Sequence, residues 1–241
     1  MTVAGIWAAG LAALVLAGCG GDDQIWDNSA IHHGNLLFHE VTPPVGGLSV
    51  FSCATCHATA IDPNSTAILP GANLAGVTAR KTFWGGQERA LLRAINDCRF
   101  YFMNLPQPWG VNDDEARAIY AYLAILPAEL PNAVTFTVVA SVADLPAGDP
   151  ARGASVHARA CGGCHGEMHT GDGRLASIIP ILPEDPALDH RSYPHDEQRV
   201  VFIEKLRHGT FFGYGGDMPP FSPQVLPDAD VSDLLAAYGL Y

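Results

Sequence analysis

Two copies of one short motif constrain this chain more than any other feature of its sequence. The motif has the form Cys-X-X-Cys-His, and it occurs as CATCH at 53–57 and as CGGCH at 161–165. The two copies are separated by the length of a small domain, whereas the paired cysteines of a zinc ribbon lie much closer together in sequence. We therefore expect each motif to belong to a structural unit of its own.

The histidine after each cysteine pair decides between the possible chemistries. A Cys-X-X-Cys pair alone would suit a zinc half-site or a redox disulfide. With the adjoining histidine the spacing is typical of c-type haem attachment, in which two thiols add to the haem vinyl groups and the histidine lies under the iron. We predict two covalently attached haem c groups, with both histidines as iron ligands. The haem-binding residues are then Cys53, Cys56, His57, Cys161, Cys164 and His165.

The N-terminus predicts export and a lipid anchor. Residues 1–18 carry no charged side chain, and their apolar run is too short for a comfortable membrane span. Leu-Ala-Gly-Cys, ending at Cys19, resembles a bacterial lipobox, although an uncleaved anchor helix or a chance match would give the same letters. The resemblance implies a cleaved signal peptide, a lipidated Cys19 and a tether over 19–26. The protein is then a membrane-anchored periplasmic lipoprotein, and Gly20 favours the outer membrane.

The charge balance restricts the partners. The formal net charge is −12, with only 13 lysines and arginines among 241 residues. Such a surface repels phosphate backbones, so no nucleic acid partner is expected. It favours a redox protein with a basic docking face.

The sequence around the second motif is repeated, with insertions, around the first. A helix is predicted to begin at Asp149-Pro150, since aspartate caps helices and proline suits their first turn. A methionine followed by a closing helix with a tyrosine comes after each motif, as Met103 with Tyr122 and as Met218 with Tyr238. Further helices are predicted at 87–101, 113–126, 196–208 and 228–241, and an extended segment is predicted at 134–139.

Both parts of the chain resemble the cytochrome c domain family. The resemblance rests on the N-terminal helix, the CxxCH motif, a distal methionine and a closing helix with an aromatic residue. It implies an all-α fold of two tandem cytochrome c domains, at 27–130 and 148–241, each a small helical bundle around a covalently bound haem. A short extended linker at 131–147 joins them. His157 departs from the family by replacing the usual aromatic residue.

The sixth ligands of the two irons follow from the same resemblance. Met218 lies in a glycine-rich loop before the last helix and is followed by proline, as the distal ligands of cytochromes c are. A thioether fills the sixth site and raises the reduction potential, which suits electron transfer. Met103 is its counterpart by register, but the first haem has other candidates, or an open site. The rival ligands are Cys98, His32, His33 and His39.

Other side chains are assigned to the surroundings of the haems or to the surface. Arg80 and Lys81 are candidates for the haem propionates, although surface ion pairs would explain them equally well. The aromatic residues expected to line the first haem are Trp84, Trp109, Phe100 and Tyr101. The histidines expected to face solvent are His169, His190, His195 and His208.

The motifs predict an electron carrier, with an enzyme as the alternative. No acid–base constellation is visible, so no catalytic residue is assigned. The first part also resembles, loosely, bacterial dihaem cytochrome c peroxidases, in which one haem opens to hydrogen peroxide. That activity would require a polar side chain above the open iron, for which Gln87, Glu88 and Arg89 are candidates. A haem subunit of a larger dehydrogenase would share all these residues.

Overall fold

The computed structural model describes residues 27–41, 49–128, 134–189, 191–209 and 218–240. Within these ranges the chain is helical and forms no β-strand; Phe83 and Glu88 make a single isolated bridge. The all-α prediction is therefore confirmed. The predicted signal peptide, the tether and Cys19 lie outside the described residues. No helix among the residues described is long and apolar enough to cross a membrane.

The described residues form nine α-helices, and a π-turn joins the fifth of them to the sixth. They are α1 (Asn28–His39), α2 (Cys53–Cys56), α3 (Leu91–Tyr101), α4 (Asp114–Ala124), α5 (Pro150–Val156, followed by the π-turn His157–Cys161), α6 (Gly162–His165), α7 (Glu184–Asp189), α8 (His195–His208) and α9 (Asp228–Ala237). The helices predicted at 113–126, 196–208 and 228–241 are found with small shifts at their ends.

The helix predicted from residue 87 begins later, at Leu91. The cause is the side chain of Glu88, whose Oε1 accepts hydrogen bonds from the backbone N–H groups of Arg89 (2.6 Å) and Ala90 (2.8 Å). Residues 84–86 before it form a short 3₁₀ turn. Residues 87–90 continue the helical pattern of the sequence but lie before the helix, because the Glu88 side chain accepts hydrogen bonds from the neighbouring backbone.

Helices α1 and α4 pack against each other in the first half of the chain. Their apolar faces meet in a core that includes Phe38, Ile119 and Leu123. Gly34 lies where the two helices approach most closely, since a Cβ there would overlap the backbone carbonyl of Ala118. The glycine therefore sets the distance between the two helices.

Helices α5 and α9 repeat this arrangement in the second half. A Cβ on Gly153 would overlap the backbone carbonyl of Asp233, and its next neighbour would be the Cβ of Ala237. Gly34 meets the Cβ of Tyr122 in the same way, four residues after Ala118. At the glycine contact Tyr122 thus corresponds to Ala237. The two tyrosines still make matching contacts, since Tyr122 packs on Phe38 and Tyr238 on His157, each four residues after the glycine.

The two halves touch through backbone and side-chain hydrogen bonds. The N–H of Ile68 donates to the carbonyl of Arg159 (2.9 Å), and Arg159 Nε donates to the carbonyl of Thr66 (2.9 Å). The described part of the predicted extended segment forms no strand. Thr137 of this segment makes two hydrogen bonds with Gln224 instead. The N–H of Thr137 donates to Gln224 Oε1 (2.9 Å), and Gln224 Nε2 donates to Thr137 Oγ1 (2.8 Å).

Candidate cofactor site

The first motif opens onto a large apolar cavity. The cavity lies between α2 and α3 and has an empty volume of about 1250 Å³, including the space at its open mouth. Cys53, Cys56 and His57 all form part of its wall. An apolar cleft with a few converging polar groups is the usual form of a cofactor site.

The imidazole of His57 is fixed so that one nitrogen remains available. Its Nδ1 donates a hydrogen bond to the carbonyl of Ala72 (2.7 Å), so Nε2 carries the free lone pair. Gly71 lies against the ring, where a Cβ would overlap it. Burial lowers the pKa of His57, with the Ala72 bond opposing and the charge of Arg80 adding to the effect. The ring is therefore neutral at physiological pH, which is the state that binds a metal.

The two thiols of this motif fit haem attachment better than zinc or redox chemistry. Burial raises the pKa of Cys53 to about 11 and that of Cys56 to about 12. Zinc binding and thiol–disulfide exchange both require the thiolate, which these sites disfavour. In the described part of the chain the cysteines form no disulfide, and no group of carboxylates, histidines and cysteines is arranged to hold a metal ion. An apolar cavity beside two thiols and one imidazole nitrogen fits a haem.

Two of the predicted distal ligands reach this cavity. Met103 is buried, with 6% of its surface exposed, and it lines the cavity together with Cys98. Burial also raises the pKa of the Cys98 thiol well above its ordinary value. His32, His33 and His39 are exposed and lie outside the cavity wall. Among the described residues, the predicted sixth ligands that a haem in this cavity would meet are therefore Met103 and Cys98, and an open site is the alternative.

The aromatic lining differs from the predicted one. Trp84 lines the cavity as predicted, but Phe100 is 55% exposed, and Tyr101 and Trp109 lie outside the wall. Phe102 is one of the aromatic residues that line it instead. The run of aromatic residues at the end of α3 indicated rings near the haem, but the sequence did not show which side of the helix faces the cavity. The other aromatic rings in the wall are Phe38, Phe51, Phe83 and Phe136.

Charged residues near the cavity also separate into two groups. Arg80 and Lys81 were both candidates for the haem propionates. Arg80 lines the cavity, whereas Lys81 is exposed. Arg99, which the sequence reasoning missed, lines it as well. The available signal was an arginine in the otherwise apolar run at the end of α3.

The polar residues proposed for peroxide chemistry are not in the cavity wall. Glu88 accepts hydrogen bonds from the two backbone N–H groups that precede α3, and it pairs with Arg93 (Nε to Oε2, 3.0 Å). Gln87 and Arg89 are likewise absent from the lining. None of the three is therefore in position to act on a ligand bound in this cavity.

The second motif presents its histidine in the same way. Nδ1 of His165 donates to the carbonyl of Pro180 (2.8 Å), which lies at the same sequence distance as Ala72 from His57. Burial raises the pKa of Cys161 to about 12. Met218 packs at the edge of the second core, and the residues before it, 210–217, lie outside the described chain. The two prolines after it, Pro219 and Pro220, line the cavity of the first motif.

The histidines of the second half do not all lie on the surface. His208 is only 3% exposed, so its predicted solvent-facing position was wrong. His169 and His195 are exposed as predicted, and His190 lies outside the described residues. His157 is also 3% exposed: its Nε2 donates to the carbonyl of Gly166 (2.9 Å), and its Nδ1 accepts from the hydroxyl of Tyr238 (2.6 Å).

Comparison with known proteins identifies the class of the second half. Residues 148–238 match the family model described as "Cytochrome C oxidase, cbb3-type, subunit III". This segment is therefore similar to a c-type cytochrome family, whose members carry covalently bound haem c and transfer electrons. The match covers less than half of the chain. No curated protein matches the chain.

Several solved structures are similar to this chain, and one of them is a distant match. It is the "as isolated" form of thiosulfate dehydrogenase (TsdBA) from Marichromatium purpuratum, with 17% sequence identity and a TM-score of 0.42. The similarity covers 91% of this chain and 48% of that chain, so this chain spans about half of that structure's length.

Proposed function

We propose that the protein is a dihaem c-type cytochrome that carries electrons between redox partners. It contains two tandem cytochrome c domains, at 27–130 and 148–241, and a lipid on Cys19 anchors it on the periplasmic side of the envelope. The observation that carries the proposal is the repeated histidine geometry, in which Nδ1 of His57 and of His165 is held by a carbonyl and Nε2 is left free.

The bound haem would supply a one-electron exchange between ferric and ferrous iron. The chain supplies a fixed imidazole nitrogen at each motif and thiols at a fixed distance from it. At the first motif the apolar cavity wall excludes water and thereby disfavours the extra positive charge of the oxidised state. Met103 and Met218 are proposed to fill the sixth positions.

Contacts between the halves support electron transfer within the chain. Pro219 and Pro220 belong to the second half, yet they line the cavity of the first motif. Cys164 is near enough to Cys56 to contribute to the rise in its pKa. The two attachment motifs therefore lie close together, which favours passage of an electron from one haem to the other.

A carrier is favoured over a peroxidase because the candidate polar residues are absent from the cavity wall.

The acidic net charge of −12 favours a basic docking face on the partner. This part of the proposal predicts association that weakens with salt, and salt-independent association would contradict it.

The first experiment is a spectrum of the mature protein, oxidised and reduced, with and without carbon monoxide. A haemochrome assay on the protein and on its Cys56→Ala and Cys164→Ala variants gives the number of haems. Two haems, and no carbon monoxide binding, are expected for a carrier with both irons closed. A single haem would disprove the dihaem proposal, and carbon monoxide binding at the first haem would favour the peroxidase.

If the first iron is closed, its distal ligand is tested by Met103→Ala and Cys98→Ala. The expected result is that the far-red band of methionine-ligated ferric haem falls to about half in Met103→Ala and stays unchanged in Cys98→Ala, because Met218 still ligates the second haem. Loss of a thiolate spectrum in Cys98→Ala would assign the cysteine instead.

A further inference from the structure

Two buried arginines face the cavity of the first motif from different elements. Arg80 follows the 3₁₀ turn Val77–Ala79, and Arg99 lies in the last turn of α3. Their exposed fractions are only 9% and 7%. Both line the cavity that contains Cys53 and His57.

Neutral groups hold each guanidinium in place. Nη2 of Arg80 donates to the carbonyls of Asn73 (2.5 Å) and Ala75 (2.9 Å). These bonds fix the orientation of the guanidinium but bring no negative charge. In the described part of the chain, no carboxylate forms an ion pair with Arg80.

Arg99 is held in a comparable way. Its Nη1 donates to the carbonyl of Gln107 (2.8 Å) and to Oδ1 of Asn96 (3.2 Å), and its guanidinium lies 3.8 Å from the centre of the Trp109 ring. Among the described residues it too forms no ion pair. The charges of Asp113 and Glu115 act on Arg99 from beyond ion-pair distance. Two positive charges are thus held at one apolar cavity without an ion-pair partner in the part of the chain that the structure describes.

Each guanidinium also retains donors without an acceptor. The Nε atoms of Arg80 and Arg99 are buried and have no hydrogen-bond partner among the described residues. Nη1 of Arg80 and Nη2 of Arg99 make no hydrogen bond there either. A buried charge without a partner is strongly unfavourable, so such groups point to an anion that completes the site. Arginine suits carboxylates in particular, because its planar fork matches their two oxygens.

We propose that Arg80 and Arg99 bind the two propionate groups of the haem attached at 53–57. This inference rests on the proposed function, since it requires a haem at that motif. The two arginines are positioning residues: they orient the haem in the cavity, and their positive charges favour the reduced iron. Lys81 is exposed and takes no part.

The test is a redox titration of Arg80→Gln and Arg99→Gln in the haem-loaded protein. Each variant is expected to lower the midpoint potential of the first haem and to leave that of the second unchanged, because removing a nearby positive charge favours the oxidised state. Arg80→Lys and Arg99→Lys keep the charge and are expected to restore most of the potential. Arg93→Gln is the matched control, because Arg93 is an exposed arginine of the same half and is expected to change neither potential.

A second readout uses the propionates themselves. The wild-type protein and the two glutamine variants are loaded with haem labelled with ¹³C at the propionates. The carboxylate infrared bands of each variant are expected to be shifted from those of the wild-type protein. Unchanged bands, or unchanged potentials in both glutamine variants, would overturn the inference while leaving the proposed function intact. A haemochrome assay with no haem at 53–57 would overturn both. A variant that loses its haem while its lysine counterpart retains it would support the inference.

Discussion

Each half of the molecule contains a pair of helices that pack through a glycine, α1 with α4 and α5 with α9. The side chains beside that glycine differ between the halves. In the first half, Phe38 of α1 lies 1% exposed against Tyr122, with ring centres 5.4 Å apart. In the second half, His157 stands four residues after the close-approach glycine, as Phe38 does. It is held by hydrogen bonds to Tyr238 and to the carbonyl of Gly166.

The difference shows that backbone distance and side-chain identity are set separately. The glycine determines how closely the helices approach, and either an apolar contact or a satisfied polar pair then fills the space. The second half also has an ionic contact at this interface. Asp233, which occupies the place of Ala118, accepts from Arg152 Nε (2.8 Å), Arg152 Nη2 (3.0 Å) and the N–H of Asp149 (2.6 Å).

The largest effect is expected where the halves agree. Gly34→Ala and Gly153→Ala should each destabilise the protein by about 3 kcal/mol, because the new Cβ overlaps a backbone carbonyl and forces the helices apart. Chemical denaturation of the haem-loaded variants measures the free energy of unfolding.

Two alanine variants serve as controls for the glycines. A Cβ on Gly110 or Gly162 would meet its nearest neighbour at an ordinary distance, 3.5 Å and 3.6 Å. The first motif already carries alanine, Ala54, at the position of Gly162. Equal losses in test and control variants would show that the helix distance does not depend on these glycines.

The second-largest loss of stability is expected at His157, where the two halves differ. His157→Phe makes the second half resemble the first, but it leaves the Tyr238 hydroxyl and the Gly166 carbonyl buried without their partner. A loss of about 2 kcal/mol is expected in the free energy of unfolding. His195→Phe, at an exposed position of the same half, should be nearly neutral. A stable His157→Phe protein would mean that the polar pair can be exchanged for an apolar one at no cost.

The ionic contact predicts a pH dependence in the second half. The hydrogen bond from Arg152, followed by that from Asp149, holds the pKa of Asp233 below its ordinary value of 3.8. Its folded pKa is the lower one, so the stabilisation is present above pH 3.8 and is lost as the pH falls through the folded pKa. Asp233→Asn should lose about 1.5 kcal/mol at neutral pH and less in acid, since Arg152 is partly screened by water.

Denaturation curves at neutral and acid pH check this prediction. Asp172→Asn removes an exposed carboxylate from the same half and should leave the pH profile unchanged. The same loss for Asp233→Asn at every pH would show that the charge of Asp233 is not what stabilises the contact.

The smallest effect concerns the starts of the two helices. Asp149 Oδ1 accepts from the N–H groups of Ala151 (2.8 Å) and Arg152 (3.0 Å), whereas Asp27 Oδ1 accepts only from Ser29 (3.2 Å). Asp149→Ala should therefore cost about 1 kcal/mol and Asp27→Ala about 0.5 kcal/mol.

Thermal unfolding compares the caps, with Asp149→Asn as the variant that keeps the acceptor. A larger loss at Asp27 than at Asp149 would reverse the expected order.

Much of the architecture could be predicted from short-range patterns. The helix start at Asp149-Pro150 is found because capping depends only on neighbouring residues. The repeated plan predicted that each motif precedes a methionine and a closing helix. Which residue of the closing helix meets each glycine could not be predicted, because that contact joins residues distant in the chain.

The sequence by itself determined the spacing of two thiols and a histidine in each motif, and that spacing carries the prediction of haem attachment. It also determined the helical periods and the caps, which depend on residues a few positions apart. Only the tertiary structure decided that Cys98 and Met103 share the cavity, that Phe100 faces away from it, and that Arg99 joins Arg80 in its wall. Those outcomes depend on which side of each helix packs inward, and that is fixed by contacts between segments far apart in the chain.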